Sequence, residues 1–166
     1  MSTLAPVKAQ SEIATEGRDV ILTRDFDAAP ELLYRAWTEP ALVTQWLTLG
    51  TWKAVKTNMD VRPGGANLLT MRSADGSEFP NQDVYLDVVP NKRLVFTDAY
   101  TSAWIPSKKT FMTVTLTFDE LGSGRTHYTA RVSHWSVADR EQHEQMGFRQ
   151  NWQAMTEELA ALVAKL

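Results

Sequence analysis

Residues 112–118 have the sequence MTVTLTF, in which apolar and polar side chains alternate at every position. This period of two predicts a β-strand with one face against a core and the other in water. The apolar face holds Met112, Val114, Leu116 and Phe118, and the opposite face is made of threonines. A sheet with one dry face needs a covering layer, so another part of the chain has to supply it.

Segments with similar alternation occur on both sides of this strand. A first strand is expected at residues 19–26, and a meander of six strands is expected at residues 52–61, 66–72, 82–89, 93–100, 110–118 and 126–132. Turn-forming sequences such as Pro63-Gly64-Gly65 separate them, since glycine and proline favour the backbone angles of tight turns. The pattern predicts a seven-stranded antiparallel sheet.

The C-terminal residues offer the covering layer. Apolar side chains recur there at steps of three and four, the spacing of one helix face, at Phe148, Trp152, Met155, Leu159, Leu162 and Leu166. Ser136 or Asp139 is expected to cap the start of this long helix. Pro30 and Pro40 each begin a short apolar segment and predict two short helices after the first strand. The fold class is therefore α+β, with the sheet wrapped around the C-terminal helix.

Composition and charge restrict the classes of partner. The chain has 166 residues, 43% of them apolar, and a net charge of −3, values typical of a globular domain. Lysine and arginine are scattered, so no nucleic-acid partner is expected. The absence of cysteine excludes disulfides and thiolate sites, and no apolar run is long enough for a signal sequence or a membrane span. We expect a cytoplasmic protein with a flexible tail over residues 1–18 and a single domain over residues 19–166.

No recognisable catalytic or metal-binding motif is present. The three histidines, His127, His134 and His143, lack metal-ligand spacing. Ser123 lies between two glycines, but in a turn between strands, without the helix that follows a nucleophile elbow. We therefore assign no catalytic residue, metal or cofactor. His134, directly after the last strand, is kept as a candidate at the mouth of a cavity.

Several short motifs occur in an order and spacing that resemble one known family. They are Thr23-Arg24-Asp25-Phe26-Asp27-Ala28, Ala36-Trp37-Thr38-Glu39-Pro40, Val61-Arg62-Pro63-Gly64-Gly65, Val88-Val89-Pro90 and Arg93-Leu94-Val95-Phe96-Thr97. Over residues 19–166 the chain resembles the family named after an activator of the heat-shock protein 90 ATPase. That family belongs to the START and birch-pollen-allergen (SRPBCC) superfamily, so the resemblance implies a helix-grip fold.

Two positions depart from the family pattern. Phe148 follows Gly147 where a tryptophan is usual, which exchanges one large aromatic side chain for another. Asp83 occupies a position at the start of the fourth predicted strand, residues 82–89, where many members have glycine.

The resemblance implies an apolar cavity between the sheet and the long helix, which the superfamily uses for lipids, polyketides and other hydrophobic molecules. Aromatic and methionine side chains suit such ligands, and Tyr100 and Trp104 also lie in an exposed-looking loop over residues 99–107. The candidate ligand-binding residues are Trp37, Trp46, Trp52, Met59, Leu69, Met71, Leu86, Phe96, Tyr100, Trp104, Met112, Val114, His134, Phe148, Trp152 and Met155. A packed core that binds nothing is the alternative explanation for these side chains.

Three functions are compatible with the resemblance. The one we favour is binding of a hydrophobic or amphipathic small molecule, with affinity from apolar burial. The second is a co-chaperone that stimulates the heat-shock protein 90 ATPase in a stress response, although the eukaryotic activators carry a further domain that residues 1–18 are too short to form. The third is an enzyme of the polyketide cyclase or hydrolase kind. A monomer or a weak homodimer is expected in each case.

Overall fold

The structure is a computed structural model that describes residues 10–108 and 112–166. Within those residues a nine-stranded antiparallel sheet runs in the spatial order β1-β2-β11-β10-β7-β6-β5-β4-β3. Its strands are β1 (Glu12–Glu16), β2 (Asp19–Phe26), β3 (Thr48–Leu49), β4 (Trp52–Met59), β5 (Ala66–Arg72), β6 (Glu78–Val89), β7 (Arg93–Thr97), β10 (Thr113–Gly122) and β11 (Arg125–Ser133). A separate hairpin is formed by β8 (Tyr100–Ser102) and β9 (Ile105–Pro106).

The alternation of the central strands sets the core face of the sheet. Val114 of β10 pairs with Val132 of β11 on one side and with Phe96 of β7 on the other, and all of them are buried. Because a strand turns successive side chains to opposite faces, this register places the apolar residues of neighbouring strands side by side. Each such side chain contributes about 1.5–3 kcal/mol when fully buried.

Two short helices, α1 (Pro30–Thr38) and α2 (Pro40–Trp46), follow the second strand. They are separate because Glu39 precedes a proline and is extended, with φ −94° and ψ 118°. The buried indole nitrogen of Trp46 donates a hydrogen bond to the carbonyl oxygen of Ala36, 2.8 Å away. This bond holds the two helices together under the sheet.

The predicted long C-terminal helix is two helices, α3 (Val137–Gln145) and α4 (Phe148–Val163). Gly147 lies between them with φ +87°, a left-handed conformation that glycine adopts without strain. Ser136 caps α3, since its hydroxyl oxygen accepts a hydrogen bond from the backbone nitrogen of Asp139 at 3.1 Å. None of the residues of α3 is buried, whereas α4 buries the predicted apolar stripe as far as Leu162. Leu166 lies beyond α4 and is exposed.

The remaining differences concern the edges of the sheet. Part of the segment predicted as a flexible tail forms strand β1. This part is ordered because its backbone pairs with β2 and Ile13 packs against the core. The additional strand β3 extends the opposite edge through pairing with β4. Residues 1–9 of the predicted tail, and residues 110 and 111 of a predicted strand, lie outside the described residues. No helix in the described part of the chain is long and apolar enough to cross a membrane.

One charged residue faces the core of the sheet. Arg24 shares the inward face of β2 with Leu22 and Phe26 and is buried. Its guanidinium donates a hydrogen bond to the Glu157 carboxylate on α4 and lies 5.2 Å from the centre of the Phe26 ring. A buried guanidinium is costly unless it is paired, so this contact ties α4 to the sheet.

Candidate functional site

A narrow cavity of about 50 Å³ lies between α4 and the sheet. Helices α1, α2 and α4 and strands β4–β7 all contribute to its wall. The apolar lining consists of Trp37, Val43, Leu47, Leu49, Met59, Leu69, Tyr85, Phe96, Met112, Trp152 and Met155. Three polar side chains interrupt this surface, namely Asn67, Asn81 and Asp83.

Two of these polar residues are buried side by side. Asn67 on β5 and Asp83 on β6 are paired in the strand register, and their exposed fractions are 8% and 4%. The side-chain oxygen of Asn67 has no hydrogen-bond partner among the described residues. Asp83 has neither a hydrogen bond nor an ion pair to another described residue. The cavity therefore contains hydrogen-bond acceptors whose needs the protein does not meet.

Burial changes the acidity of Asp83. Removal of water, and secondarily the negative charge of Asp98, raises the pKa of its carboxyl group to about 7. The group is therefore close to half ionised at neutral pH. Among residues 10–108 and 112–166, no lysine, arginine or histidine lines the cavity to offset its charge.

A wider cleft of about 390 Å³ adjoins the cavity, and both share Leu49, Asn81, Met112 and Trp152. The break between α3 and α4 supplies one side of this outer cleft through Met146. The remaining lining residues of the outer cleft are Phe79, Asp98, His143, Phe148 and Asn151. The cavity thus connects to a more open and more polar entrance.

A histidine pair lies beside the outer cleft. Nδ1 of His134 is 3.0 Å from the carbonyl oxygen of Arg18 and therefore carries its proton, so Nε2 accepts a hydrogen bond from Nδ1 of His143, 2.8 Å away. The His143 ring centre lies 4.1 Å from that of Phe148. Burial, followed by the nearby His134, lowers the pKa of His143 to about 4. His143 is therefore neutral at pH 7.

The model of the family described as activator of Hsp90 ATPase homolog 1-like protein matches residues 27–164. The chain belongs to this family. The predicted resemblance and the α+β helix-grip fold are both confirmed, with two more strands in the main sheet than expected.

Solved structures of other proteins show the same fold. A protein of Nitrosomonas europaea is 31% identical, covers 92% of this chain and 97% of its own, and superimposes with a TM-score of 0.84. A protein of Chromobacterium violaceum is 27% identical, with coverages of 88% and 96% and a TM-score of 0.66. A Rhodobacter sphaeroides protein, 21% identical with coverages of 95% and 100% and a TM-score of 0.80, supports the fold alone. No curated protein matches the sequence.

In this member of the Hsp90-activator-like family, the cavity brings together only part of the predicted ligand-binding set. The candidates that line it are Trp37, Met59, Leu69, Phe96, Met112, Trp152 and Met155. Phe148 lines the outer cleft. For all of these residues ligand binding stays a prediction.

The other candidates lie elsewhere. Trp46, Met71 and Val114 are buried in the core away from the cavity, and His134 is buried against His143. Trp52 packs edge-on against Phe79 with ring centres 4.7 Å apart. Tyr100 and Trp104 contact each other in the β8–β9 hairpin, where Trp104 is 87% exposed, and Leu86 is also exposed.

Leu86 points away from the cavity for a local reason. The register of β6 against β7 shifts between Tyr85 and Asp87, so Leu86 is the extra residue of a bulge. A one-residue shift exchanges the two faces of a strand, and the inward position passes to Tyr85.

Sequence reasoning missed the polar residues of the cavity. Asn67 has the same parity as Leu69 and Met71 on β5, so the alternation already placed an amide on the inward face. Asp83 was noted only as a departure from the family pattern, although it shares parity with Asn81 and Tyr85. A polar residue at an inward position was the available signal.

Proposed function

We propose that this protein binds a small hydrophobic or amphipathic molecule between the sheet and α4. The observation that supports this proposal is the apolar cavity with unpartnered polar groups that continues into the outer cleft. Such a combination of apolar walls and a few polar groups is typical of ligand sites, where apolar burial supplies affinity and polar groups set orientation.

The volumes indicate how a ligand is accommodated. A cavity of about 150 Å³ admits a benzene-sized molecule, and the cavity here has only about 50 Å³. One end of the ligand therefore enters the cavity, and the rest occupies the outer cleft of about 390 Å³. Helix α3 borders this cleft and has no fully buried residue, so we expect it to move more readily than α4 when a ligand enters.

A matched pair of substitutions tests the proposal with a neutral apolar fluorescent probe, N-phenylnaphthylamine. The parent should bind the probe with quenching of tryptophan emission, because Trp37 and Trp152 line the cavity. Leu69→Phe, which places a ring in the cavity, should abolish probe binding with a near-native thermal midpoint.

Val114→Phe is the control, because Val114 is fully buried on the same sheet face but outside the cavity. It should lower stability by about 1–3 kcal/mol through overpacking and keep probe binding while folded. A parent that binds no probe, or equal effects of the two substitutions, would contradict the proposal.

A second candidate function is contact with a chaperone, which the family description names. The β8–β9 hairpin favours it, since Trp104 and Ile105 expose apolar surface that a protein partner could cover. The test is the ATPase rate of purified Hsp90 with added parent protein or with Trp104→Ser. Stimulation by the parent that the variant loses would support this function, and an unchanged rate with both proteins would refute it.

A further inference from the structure

The polar groups of the cavity restrict the chemistry of what can bind there. Asp83 and the side-chain oxygen of Asn67 are hydrogen-bond acceptors, both are more than nine-tenths buried, and neither has a donor among the described residues. A buried acceptor without a partner costs roughly 1–3 kcal/mol, and more when it is charged. A ligand that donates hydrogen bonds to Asp83 and Asn67 removes this energetic cost.

The charges around Asp83 select the sign of the ligand. On its own strand and on β5 its neighbours Tyr85, Asn81 and Asn67 carry no charge at neutral pH, and α4 faces the cavity with Trp152 and Met155. Among the described residues that line the cavity, Asp83 is the one charged group.

Two further titratable groups line the outer cleft. Asp98, after β7, is negative and acts on Asp83 through space, and His143 on α3 is neutral at pH 7 because its pKa is lowered to about 4. The potential inside the site is therefore negative when Asp83 is ionised. A negative ligand would be repelled and a positive one attracted.

We infer that the ligand is a cationic amphiphile, an amine with an apolar chain or ring, whose ammonium group donates hydrogen bonds to Asp83 and Asn67. This inference rests on the proposed binding function and names the chemical class of the molecule. The aromatic wall agrees with it, since aromatic rings such as those of Trp37, Phe96 and Trp152 can attract cations as well as apolar groups. The apolar part of the ligand extends toward Met112 and the outer cleft.

The affinity for an amine should depend on pH with a defined sign. An alkylammonium group stays protonated up to about pH 10, like the side chain of lysine, so only the protein titrates between about pH 5.5 and 8.5. Asp83 loses its proton through a pKa of about 7. Amine binding should therefore strengthen as pH rises through this window, whereas binding of a neutral alcohol of the same chain should not.

The preferred charge of the ligand can be tested with three molecules of equal chain length, namely octylamine, octanol and octanoate. Their affinities are measured by titration calorimetry at about pH 8.5. Octylamine should bind about tenfold tighter than octanol, the usual gain for a hydrogen bond to a charged partner, and octanoate should bind weakest. Asp83→Asn should remove the advantage of the amine, so that the ratio of the octylamine affinity to the octanol affinity falls to about one. Asp87→Asn, on the same strand but outside the cavity, should change neither.

The outcomes distinguish this inference from the proposed function on which it rests. If octanol binds but octylamine has no advantage, or keeps its advantage in Asp83→Asn, the inference is wrong and the binding function stands. If none of the three ligands binds, the binding function fails and the inference fails with it. An amine advantage that is constant between about pH 5.5 and 8.5 also contradicts the role of Asp83.

Discussion

Replacing Asp83 by asparagine should stabilise the protein at alkaline pH and leave its stability nearly unchanged at acid pH. Asp83 is buried, and no other described residue offers it a hydrogen bond or an ion pair. Ionisation of this carboxyl group in the folded state therefore leaves a charge with little access to water and without a partner among the described residues. Asparagine has almost the same shape and no charge, so the substitution removes this cost alone.

The sign and size of this stabilisation follow from the difference in the pKa of Asp83 between the folded and unfolded states. The pKa of Asp83 rises from 3.8 in the unfolded chain to about 7 in the folded protein, so the folded state holds the proton over that interval. The resulting stability is fully present below about pH 4 and is lost as pH rises through about 7. At about 1.4 kcal/mol per pH unit the loss is roughly 4 kcal/mol. Asp83→Asn should thus be more stable than the parent by up to roughly 4 kcal/mol at about pH 8.5, and by less than about 1 kcal/mol at pH 4.

Urea denaturation followed by tryptophan fluorescence measures this difference at several pH values, since other titrating groups cancel between the parent and the variant. Asp87→Asn serves as the control, because Asp87 is exposed and forms an ion pair with Arg93 at 2.7 Å. An exposed pair contributes about 0–1 kcal/mol, so this variant should be slightly less stable with little dependence on pH. Parallel stability profiles for the parent and Asp83→Asn would refute the assignment of an unpartnered buried carboxyl group.

Three further predictions concern other parts of the fold. Arg24→Met should lower the free energy of unfolding by about 1–3 kcal/mol, because it removes the hydrogen bond of the buried Arg24 to the partly exposed Glu157 on α4, and an unchanged denaturation midpoint would show that this pair contributes nothing. His143→Gln should reduce the loss of stability as pH falls from 6.5 to about 4, because a folded pKa below the unfolded value makes the protein lose stability in that window, and an unchanged loss would contradict the lowered pKa of His143. Hydrogen exchange should find residues 137–146 much less protected than residues 152–162, since α3 has no fully buried residue whereas α4 has several, and equal protection of the two segments would contradict this.

Much of the fold was predictable because the relevant signals are local. The alternation of apolar and polar residues predicts the strand at residues 112–118, and Pro30 and Pro40 indicate helix starts because proline restricts the backbone. Strand β1 gives no such signal, because Ile13 is its one large apolar residue and the strand exists through pairing with β2. An edge strand of this kind is decided by its neighbour rather than by its own pattern.

The interruption of the C-terminal helix is a second feature that the local sequence pattern does not predict. Gly147 is compatible both with a helix interior and with a left-handed break, and the stripe beginning at Phe148 continues into polar residues without a stop signal. Tertiary packing determines that the helix breaks at Gly147, since Phe148 is buried against His143 and Trp152 while α3 has no fully buried residue. The outer cleft depends on this break through Met146.

For the candidate site, the sequence by itself determined the family, the faces of the strands and the supply of aromatic and methionine side chains. Only the tertiary structure decided which of these side chains meet around a cavity, that Asn67 lies opposite Asp83, and that none of the described residues lining the cavity is cationic. The physical reason is that strand faces follow from a two-residue period that each segment carries alone. Register between strands, the distance of α4 from the sheet and the loss of water at Asp83 depend on residues far apart in the chain, which come together only when the whole domain packs.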